Sequence, residues 1–408
     1  MRKMHTVNNY KSDRRDCHID RASQTLFTKF FCNYAIKTKV QGKSLQADVH
    51  NFSSSLIFFK STSNSYRLCD ILKPTKMKSK KEIAMKEIQK LLDYRPEIRV
   101  LDATLRDGGL VNNFMFTDEF VQDLYKTNIK AGVDYMEFGY KADPDMFKES
   151  EFGKWKFSKD EDIRAIVGEN DTDLKISIMA DVGRCNYKRD ILPRSESPID
   201  MIRVACYIHQ IPAAIEMIED AHKKGYETTC NIMAISTSGE NDWRAALDLV
   251  CKSSVDVIYI VDSYGSLYPE QIQRICALYK EYADKYKKEI GMHAHNNQQL
   301  AFANTIEACG DGVNFLDATY GMMGRGAGNC AIELLLGFLK NPKYNIYPAL
   351  QFIENQIVPL KKQGVMWGYD IPYLLTGLLN QHPRDAIAFA GEKKTDYTEF
   401  WNTLTGKD

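Results

Sequence analysis

The sequence predicts an α/β protein, a (β/α)8 TIM barrel with a C-terminal helical extension. From Ile98 onward, eight short apolar runs alternate with amphipathic stretches, which is the pattern of repeated strand–helix units in a parallel sheet. The chain of 408 residues has room for one barrel of about 250 residues and for additions at both ends. Eight consecutive units favour a closed barrel over an open doubly wound sheet.

The strands can be placed individually from their apolar runs. They are IRVLDATL from Ile98, DYMEFGY from Asp134, LKISIMAD from Leu174, MIRVACYI from Met201, ETTCNIMAI from Glu227, VDVIYIVDS from Val255, IGMHAH from Ile290 and VNFLDATY from Val313. Helical periodicity separates them, as in TDEFVQDLYKTNIKAG, IPAAIEMIEDAHKKGY, NDWRAALDLVCKSS and PEQIQRICALYKEYADKY.

Three regions follow from this pattern. Residues 1–76 lack a sustained period and are interpreted as a poorly structured N-terminal extension, upstream of a helical pattern that begins at Met77. An organellar targeting peptide is the alternative, but acidic residues such as Asp13 and Asp16 disfavour it. Residues 77–342 form the predicted catalytic barrel. Residues 343–408 carry the apolar stripes of helices and are expected to cover one end of the barrel.

Charge and cysteine usage exclude several classes of function. Residues 1–76 hold 14 basic against 5 acidic residues, which leaves a mildly acidic remainder without the basic face of a nucleic-acid-binding protein. The ten cysteines never form a CxxC pair, so we expect reduced thiols and a cytoplasmic location. The sequence lacks an apolar run of the roughly 18 residues that a membrane span requires, so no membrane association is predicted.

Active sites of TIM barrels lie at the carboxyl ends of the strands, so polar residues there are the candidates. Strand one ends in Thr104-Leu105-Arg106-Asp107-Gly108-Gly109, where a cation and an anion precede two glycines. A surface salt-bridge turn is the alternative interpretation of that segment.

Strand seven ends in His293-Ala294-His295, and the two-residue period of a strand places both imidazoles on one side. Two imidazoles and a carboxylate suit a divalent ion such as Mn, Mg, Fe or Zn. An isolated HxH pair is weak evidence, because inward histidines can be satisfied by hydrogen bonds in the core. Its position at the end of strand seven is what favours a metal site.

Strand eight leads into the glycine-rich segment GMMGRGAGN, from Gly321 to Asn329. Phosphate binding at a helix N-terminus is one interpretation. The spacing matches neither the P-loop nor the dinucleotide fingerprint, so no nucleotide is predicted. The glycines could instead bring Asn329 close to the metal.

These three motifs, TLRDG at Thr104, HxHN at His293 and GRGAGN at Gly324, resemble the signatures of the DRE-TIM metallolyases, the HMGL-like superfamily with the pyruvate carboxyltransferase domain. The resemblance covers roughly residues 96–340. It implies that Asp107, His293, His295 and Asn329 surround a divalent cation, Mn or Mg before Zn or Co. It also implies that Arg106 is a catalytic residue that binds the substrate's oxo or enolate oxygen, and that Glu137 orients it.

Within that superfamily the sequence most resembles the 4-hydroxy-2-oxovalerate aldolases. The resemblance makes Ser263 and Arg203 substrate-binding residues, and it makes Ser263, Tyr369 and Tyr373 catalytic candidates. Buried structural roles are the alternative for both tyrosines, and His382 is a further candidate base. Those aldolases carry a catalytic histidine three residues after the metal-binding aspartate, and here that position is Leu110.

The predicted function is therefore a class II aldolase, a carbon–carbon lyase acting on a 4-hydroxy-2-oxo acid through a pyruvate enolate. An acyl-CoA-dependent Claisen condensing enzyme or CoA lyase, and a non-catalytic degenerate barrel, are the alternatives. A Schiff-base route would need Lys141 or Lys175 and is disfavoured. The resemblance implies a small 2-oxo acid as substrate, and a homodimer and an aldehyde dehydrogenase as candidate partners.

Overall fold

The computed structural model describes residues 94–407 continuously, preceded by the strand residues 39–40, 43–44, 58–61 and 64–67. The chain divides into two units, Met1–Met77 and Lys78–Asp408. In the first unit, Lys39–Val40 pairs antiparallel with Lys43–Ser44, and Phe58–Ser61 with Asn64–Arg67. Residues 1–76 were predicted to be poorly structured, and apart from these strand pairs they lie outside the described residues, as does the start of the helical pattern at Met77.

The second unit contains the predicted barrel. Eight parallel strands close on themselves in chain order, with β8 hydrogen-bonded to β1. Their bounds are β1 Arg99–Asp102, β2 Tyr135–Tyr140, β3 Lys175–Asp181, β4 Met201–Cys206, β5 Glu227–Ile232, β6 Val257–Asp262, β7 Glu289–Ala294 and β8 Phe315–Ala318. Each strand lies within a predicted apolar run or one residue from it, so both the fold class and the strand positions are confirmed.

Helices fill the connections between strands and continue after β8. Those between strands are Thr104–Gly108, Asp118–Ala131, Asp160–Val167, Tyr187–Asp190, Ile211–Lys223, Glu240–Val250, Pro269–Tyr286 and Ala301–Gly310. After β8 come Ile332–Phe338, Ile346–Phe352, Val358–Lys362, Ile371–Leu378, Arg384–Gly391 and Tyr397–Thr405, with a π-helical turn at Ile353–Ile357. Within the described part of the chain, none of the helices combines the length and apolarity needed to cross a membrane.

The alternation of side chains along each strand separates two hydrophobic cores. One face of the strands packs against the surrounding helices in a large apolar cluster. The other face points into the barrel, where aromatic and branched side chains such as Leu101, Tyr259 and Phe315 form a smaller cluster. Because successive side chains of a strand point to opposite faces, this interior set fixes which polar residues reach the barrel's carboxyl end.

Part of the C-terminal segment reaches the end of the barrel that carries the glycine-rich segment. Trp367 donates a hydrogen bond from Nε1 to the Gly321 carbonyl (2.9 Å), and the Gly368 amide donates to the Gly326 carbonyl (3.0 Å). Asn297, just beyond β7, donates to the Tyr373 carbonyl (3.2 Å). These bonds tie residues 367–373 to the site end of the barrel, whereas helix Ile346–Phe352 packs beside helix Asp118–Ala131.

Replacing Gly291 by alanine tests the packing of the barrel interior. The added Cβ would lie 2.4 Å from the Tyr259 ring. We expect the free energy of unfolding to fall by about 1–3 kcal/mol, the usual cost of overpacking, as measured by urea denaturation. The matched control is Gly391→Ala, whose Cβ meets nothing within 4 Å. Equal stability of the two variants would contradict the tight contact between β6 and β7.

Candidate metal and active site

A carboxylate and two imidazoles converge at the carboxyl end of β7 and β1. His293 Nε2 lies 3.5 Å and His295 Nε2 3.7 Å from Asp107 Oδ2, and the three candidate ligand atoms all lie within 4.8 Å of one another. All three side chains are buried. The geometry therefore brings the three predicted ligands to one point, with the donor types that a divalent cation accepts. Asp107, His293 and His295 are called the trio.

Asp107 reaches this point from a short helix, whereas the sequence suggested a continuation of strand one. β1 ends at Asp102, whose carboxylate accepts a hydrogen bond from the Thr104 amide (2.8 Å) and another from Asn128 Nδ2 (2.7 Å). The Thr104 hydroxyl accepts a bond from the Tyr320 amide (2.9 Å), which links the end of β8 to this helix. Helix Thr104–Gly108 is therefore anchored at its first residue, and Asp107 near its end is buried at the carboxyl end of the barrel.

The orientation of His293 is set by Asp317 of β8. His293 Nδ1 and Asp317 Oδ2 are 2.9 Å apart, so the proton on Nδ1 is donated to the carboxylate. This leaves the lone pair on Nε2, a buried atom that has no hydrogen-bond partner in the described part of the chain, directed at Asp107. A carboxylate behind a histidine in this way selects the tautomer that ligates metals.

Asn329 and Gly324 complete the wall around Asp107. An ideal Cβ on Gly324 would lie 2.1 Å from Asn329 Nδ2 and 2.7 Å from Asp107 Oδ1, so only glycine fits there. Asn329 donates from Nδ2 to the Met323 carbonyl (3.2 Å), while its buried Oδ1 has no partner within residues 94–407. The predicted closeness of Asn329 to the trio is therefore what the structure shows, and a free amide oxygen suits a hard cation.

The charges of the trio favour ligation. Burial by itself opposes ionisation of Asp107, but the neighbouring His295, Arg106 and His293 side chains hold its pKa well below the usual range. Burial holds the pKa of His295 well below its usual value, and the nearby charge of Arg325 adds to this effect. A charged carboxylate beside a neutral imidazole is the combination that binds a divalent cation.

Beneath the trio lies a chain of buried charges that the sequence predicted only in part. Arg106 Nε lies 2.8 Å from Glu137 Oε2, which in turn lies 2.9 Å from Arg203 Nη1. Arg203 Nη2 lies 2.6 Å from Asp317 Oδ2, the oxygen that also holds His293. The predicted pairing of Arg106 with Glu137 is present, while the role of Asp317 was missed.

A cavity of about 80 Å³ opens beside the trio. Besides Arg106 and the three candidate ligands, its walls are formed by Leu110, Tyr140, Met179, Asp181, Ala205, Asn231, Met233, Val261, Ser263 and Arg325. Tyr140 reaches it because β2 shifts register between Glu137 and Tyr140, where Gly139 has a φ of 138°. Such an irregularity redirects a side chain that strict alternation would have turned outward.

Ser263 is the one further predicted residue on the cavity wall, and its hydroxyl accepts a hydrogen bond from the Ala234 amide (2.8 Å). Arg203 is wholly buried among Glu137, Asp317 and the Tyr259 ring, so this structure offers no direct contact between Arg203 and a substrate in the cavity.

The predicted tyrosines lie away from the cavity wall. Tyr369 is 54% exposed, and Tyr373 packs its ring near Gly326. His382 belongs to a separate cavity, where burial lowers its pKa to about 4 with help from Arg325 and Arg384. The structure therefore does not bring these three side chains to the trio.

Neither lysine of the Schiff-base alternative reaches the cavity. Lys141 is buried in an ion pair with Asp160, and Lys175 is exposed at the opposite end of β3, 3.0 Å from Glu227. Among the described residues, the seven cysteines are free thiols, and none lines the cavity.

Comparison with known proteins agrees with this geometry. The HMGL-like family model matches residues 97–354. The chain is 29% identical over 318 residues to the 4-hydroxy-2-oxovalerate aldolase of Pelotomaculum thermopropionicum, covering 73% of this chain and 92% of that protein. It is 28% identical over 242 residues to the oxaloacetate decarboxylase of Mycobacterium tuberculosis, covering 59% and 69%.

A solved structure is also similar. The N-terminal domain of a putative aldolase from Bacteroides vulgatus superimposes with a TM-score of 0.60 at 28% identity, covering 72% of this chain and 96% of that one.

Replacing Gly324 by alanine is expected to damage the metal site without touching a ligand. The added Cβ must displace Asn329 and Asp107, so we expect Mn²⁺ to bind at least about tenfold more weakly, the scale seen when supports of metal ligands are lost. Competition with a chelating dye measures this affinity. Gly337→Ala is the control, because its Cβ would make only an ordinary 3.8 Å contact with Ile346. Unchanged affinity in the Gly324 variant would contradict the crowding described above.

Asp317→Asn tests whether the carboxylate behind His293 sets its tautomer. An asparagine amide lacks the negative charge with which Asp317 contacts both His293 and Arg203, so we expect Mn²⁺ affinity to fall about 10- to 100-fold. The exposed Asp284→Asn serves as control, and circular dichroism establishes that both variants are folded. A folded Asp317 variant with the affinity of the parent protein would refute this role.

Proposed function

The chain belongs to the HMGL-like family, and from that premise we propose that it is a divalent-metal aldolase that cleaves or forms a 4-hydroxy-2-oxo acid through a pyruvate enolate. The observation that carries the proposal is the convergence of Asp107, His293 and His295 beside the guanidinium of Arg106. A carbonyl oxygen placed there would lie between a cation held by the trio and the Arg106 guanidinium.

Asp107, His293 and His295 would hold a divalent cation, which would supply Lewis-acid polarisation of the substrate's 2-oxo group. Arg106 adds donors fixed in advance, because its Nε is held by Glu137 (2.8 Å) and one Nη by Asp107 (2.5 Å). Donors that need no reorganisation stabilise the negative charge that develops on an enolate oxygen. Glu137 therefore positions Arg106, and Arg203 forms ion pairs with both Glu137 and Asp317 beneath it.

Ser263 is proposed to contact the substrate from the end of β6, since it lines the cavity and the backbone amide of Ala234 fixes its hydroxyl. Tyr369 and Tyr373 have no part in the proposed reaction, because neither side chain lines the cavity. CoA lyases of this superfamily use a cysteine in the glycine-rich loop after strand eight, and because none of the described cysteines lines the cavity, a CoA lyase is disfavoured. The intact trio counts against a degenerate barrel.

Decarboxylation of oxaloacetate is a second candidate, favoured by one observation. Leu110 stands on the cavity wall at the position where the aldolases carry a catalytic histidine. Loss of CO₂ from C4 of oxaloacetate, where the carboxylate lies β to the 2-oxo group, yields the same enolate without removal of a hydroxyl proton, so it needs no base there. The relative from Mycobacterium tuberculosis carries that name.

The identity of the metal, the aldehyde released and any partner stay predictions. Manganese or magnesium suits a site with one carboxylate, two imidazoles and a neighbouring amide oxygen. The homodimer and the aldehyde dehydrogenase that the resemblance implies are to be sought by light scattering and by co-purification.

The proposal is tested by deuterium exchange. Manganese-loaded protein is mixed with pyruvate in D₂O, and methyl exchange is followed by proton NMR, beside assays for pyruvate release from 4-hydroxy-2-oxo acids and for CO₂ release from oxaloacetate. We expect exchange and aldol cleavage by the parent protein, and rates lower by about 10²- to 10³-fold in Arg106→Met, which loses the fixed donors.

The control for this substitution is Arg274→Met, because Arg274 lies on the surface with its side chain 72% exposed. Its rates should equal those of the parent protein. Absence of exchange in metal-loaded parent protein would contradict the enolate mechanism, whereas CO₂ release without aldol cleavage would select the second candidate.

A further inference from the structure

The proposed cleavage needs a group that removes the proton from the 4-hydroxyl, and Leu110 cannot do so. The residues around the cavity include a carboxylate that the reaction has not yet used. Asp181 is the last residue of β3 and lines the cavity together with Arg106, Asp107 and both histidines. Met179, two residues earlier, lines it as well, as expected for side chains on one face of a strand.

Asp181 differs from the other carboxylates of the site. Asp107 is held by Arg106, Glu137 by two arginines, and Asp317 by Arg203 and His293. Within residues 94–407, the Asp181 carboxylate forms neither a hydrogen bond nor an ion pair, and only more distant charges act on it. A carboxylate left without a partner at the edge of a reaction cavity is free to accept a proton from a substrate.

The surroundings of Asp181 suit a base. Burial raises its pKa, while the charges of Lys156, Arg184 and Arg106 oppose that rise. Lys156 is itself buried, with its amine 4.5 Å from the centre of the Tyr140 ring. A carboxyl group with a raised pKa holds a proton more strongly than a surface carboxylate, and general bases work best when their pKa approaches the working pH.

Resting on the proposed function, we propose that Asp181 is the catalytic general base for the substrate's 4-hydroxyl. In cleavage, the hydroxyl proton passes to Asp181, the C4–O bond becomes a carbonyl, and the C3–C4 bond breaks. The electron pair of that bond becomes the C2–C3 double bond of the enolate, whose oxygen faces Arg106. Return of the proton from Asp181 to C3 gives the methyl group of pyruvate, so that atoms and charges balance. Condensation follows the same steps in reverse.

The test compares Asp181→Asn with the parent protein in two assays. Cleavage of a 4-hydroxy-2-oxo acid is followed by pyruvate release, and binding of oxalate, which mimics the enolate, is followed by calorimetry with manganese present. Asparagine keeps the shape and removes the proton acceptor, so we expect kcat to fall about 10²- to 10⁴-fold with the oxalate Kd unchanged. Asp145→Asn, a substitution of an exposed carboxylate, is the matched control and should alter neither quantity.

Chemical rescue separates proton transfer from a structural role. In Asp181→Ala the smaller side chain leaves room for formate, which we expect to restore part of the lost rate, whereas formate should not help Asp181→Asn. Undiminished kcat in Asp181→Asn, equal loss of oxalate binding, or a lack of rescue would overturn the assignment while the proposed function stands. A parent protein that fails to cleave any 4-hydroxy-2-oxo acid would overturn the proposed function and this assignment together.

Discussion

The site depends on a row of alternating buried charges that runs from Arg106 through Glu137, Arg203 and Asp317 to His293. Each member is within 2.9 Å of the next. Removal of one partner from a buried ion pair leaves the other charge buried and unpaired, which lowers the free energy of unfolding by about 3–5 kcal/mol. The row therefore holds two functional parts at once, the arginine that faces the substrate and the imidazole that faces the cation.

The barrel makes this row possible because its closure brings distant segments together. β8 lies between β7 and β1, so residues leaving the first and seventh strands share one rim although 186 positions separate Asp107 from His293. Interior positions two residues apart stack in layers. The lower layer here is aromatic and aliphatic, the next carries the buried charges, and the rim carries the candidate ligands. The C-terminal helices then pack on that rim through Trp367 and the Tyr373 carbonyl.

Much of this architecture could be predicted from the sequence, because long repeated patterns report on it. The eight strands and the positions of Asp107, His293 and His295 follow from period-two alternation and from motif order. Asp317 was missed because one aspartate within a strand has no local signature, although its place at the end of β8 could have marked it as a partner for His293. Tyr140 and Asp181 were missed for different reasons: a register shift redirects the first, and the second becomes notable only when its lack of a partner is seen.

The role expected of Arg203 shows the opposite limit. The resemblance assigned Arg203 to substrate binding, but the residue is fully buried in the barrel and paired with two carboxylates, so it supports other residues instead. How deep a residue lies in the barrel depends on the stagger between neighbouring strands, which the alternation within one strand does not reveal. Similarly, the short helix Thr104–Gly108 is anchored by a hydrogen bond from the Tyr320 amide to the Thr104 hydroxyl, a contact between parts of the chain far apart in sequence.

Anomalous diffraction from crystals soaked in manganese tests the central claim most directly. A shared cation would give one strong peak near the point equidistant from Asp107 Oδ2 and the Nε2 atoms of His293 and His295, at ligation distances of about 2.0–2.3 Å. Full occupancy at that point, with His293 Nδ1 still on Asp317, is the predicted result. A peak elsewhere, or an empty pocket at millimolar manganese, would contradict the account.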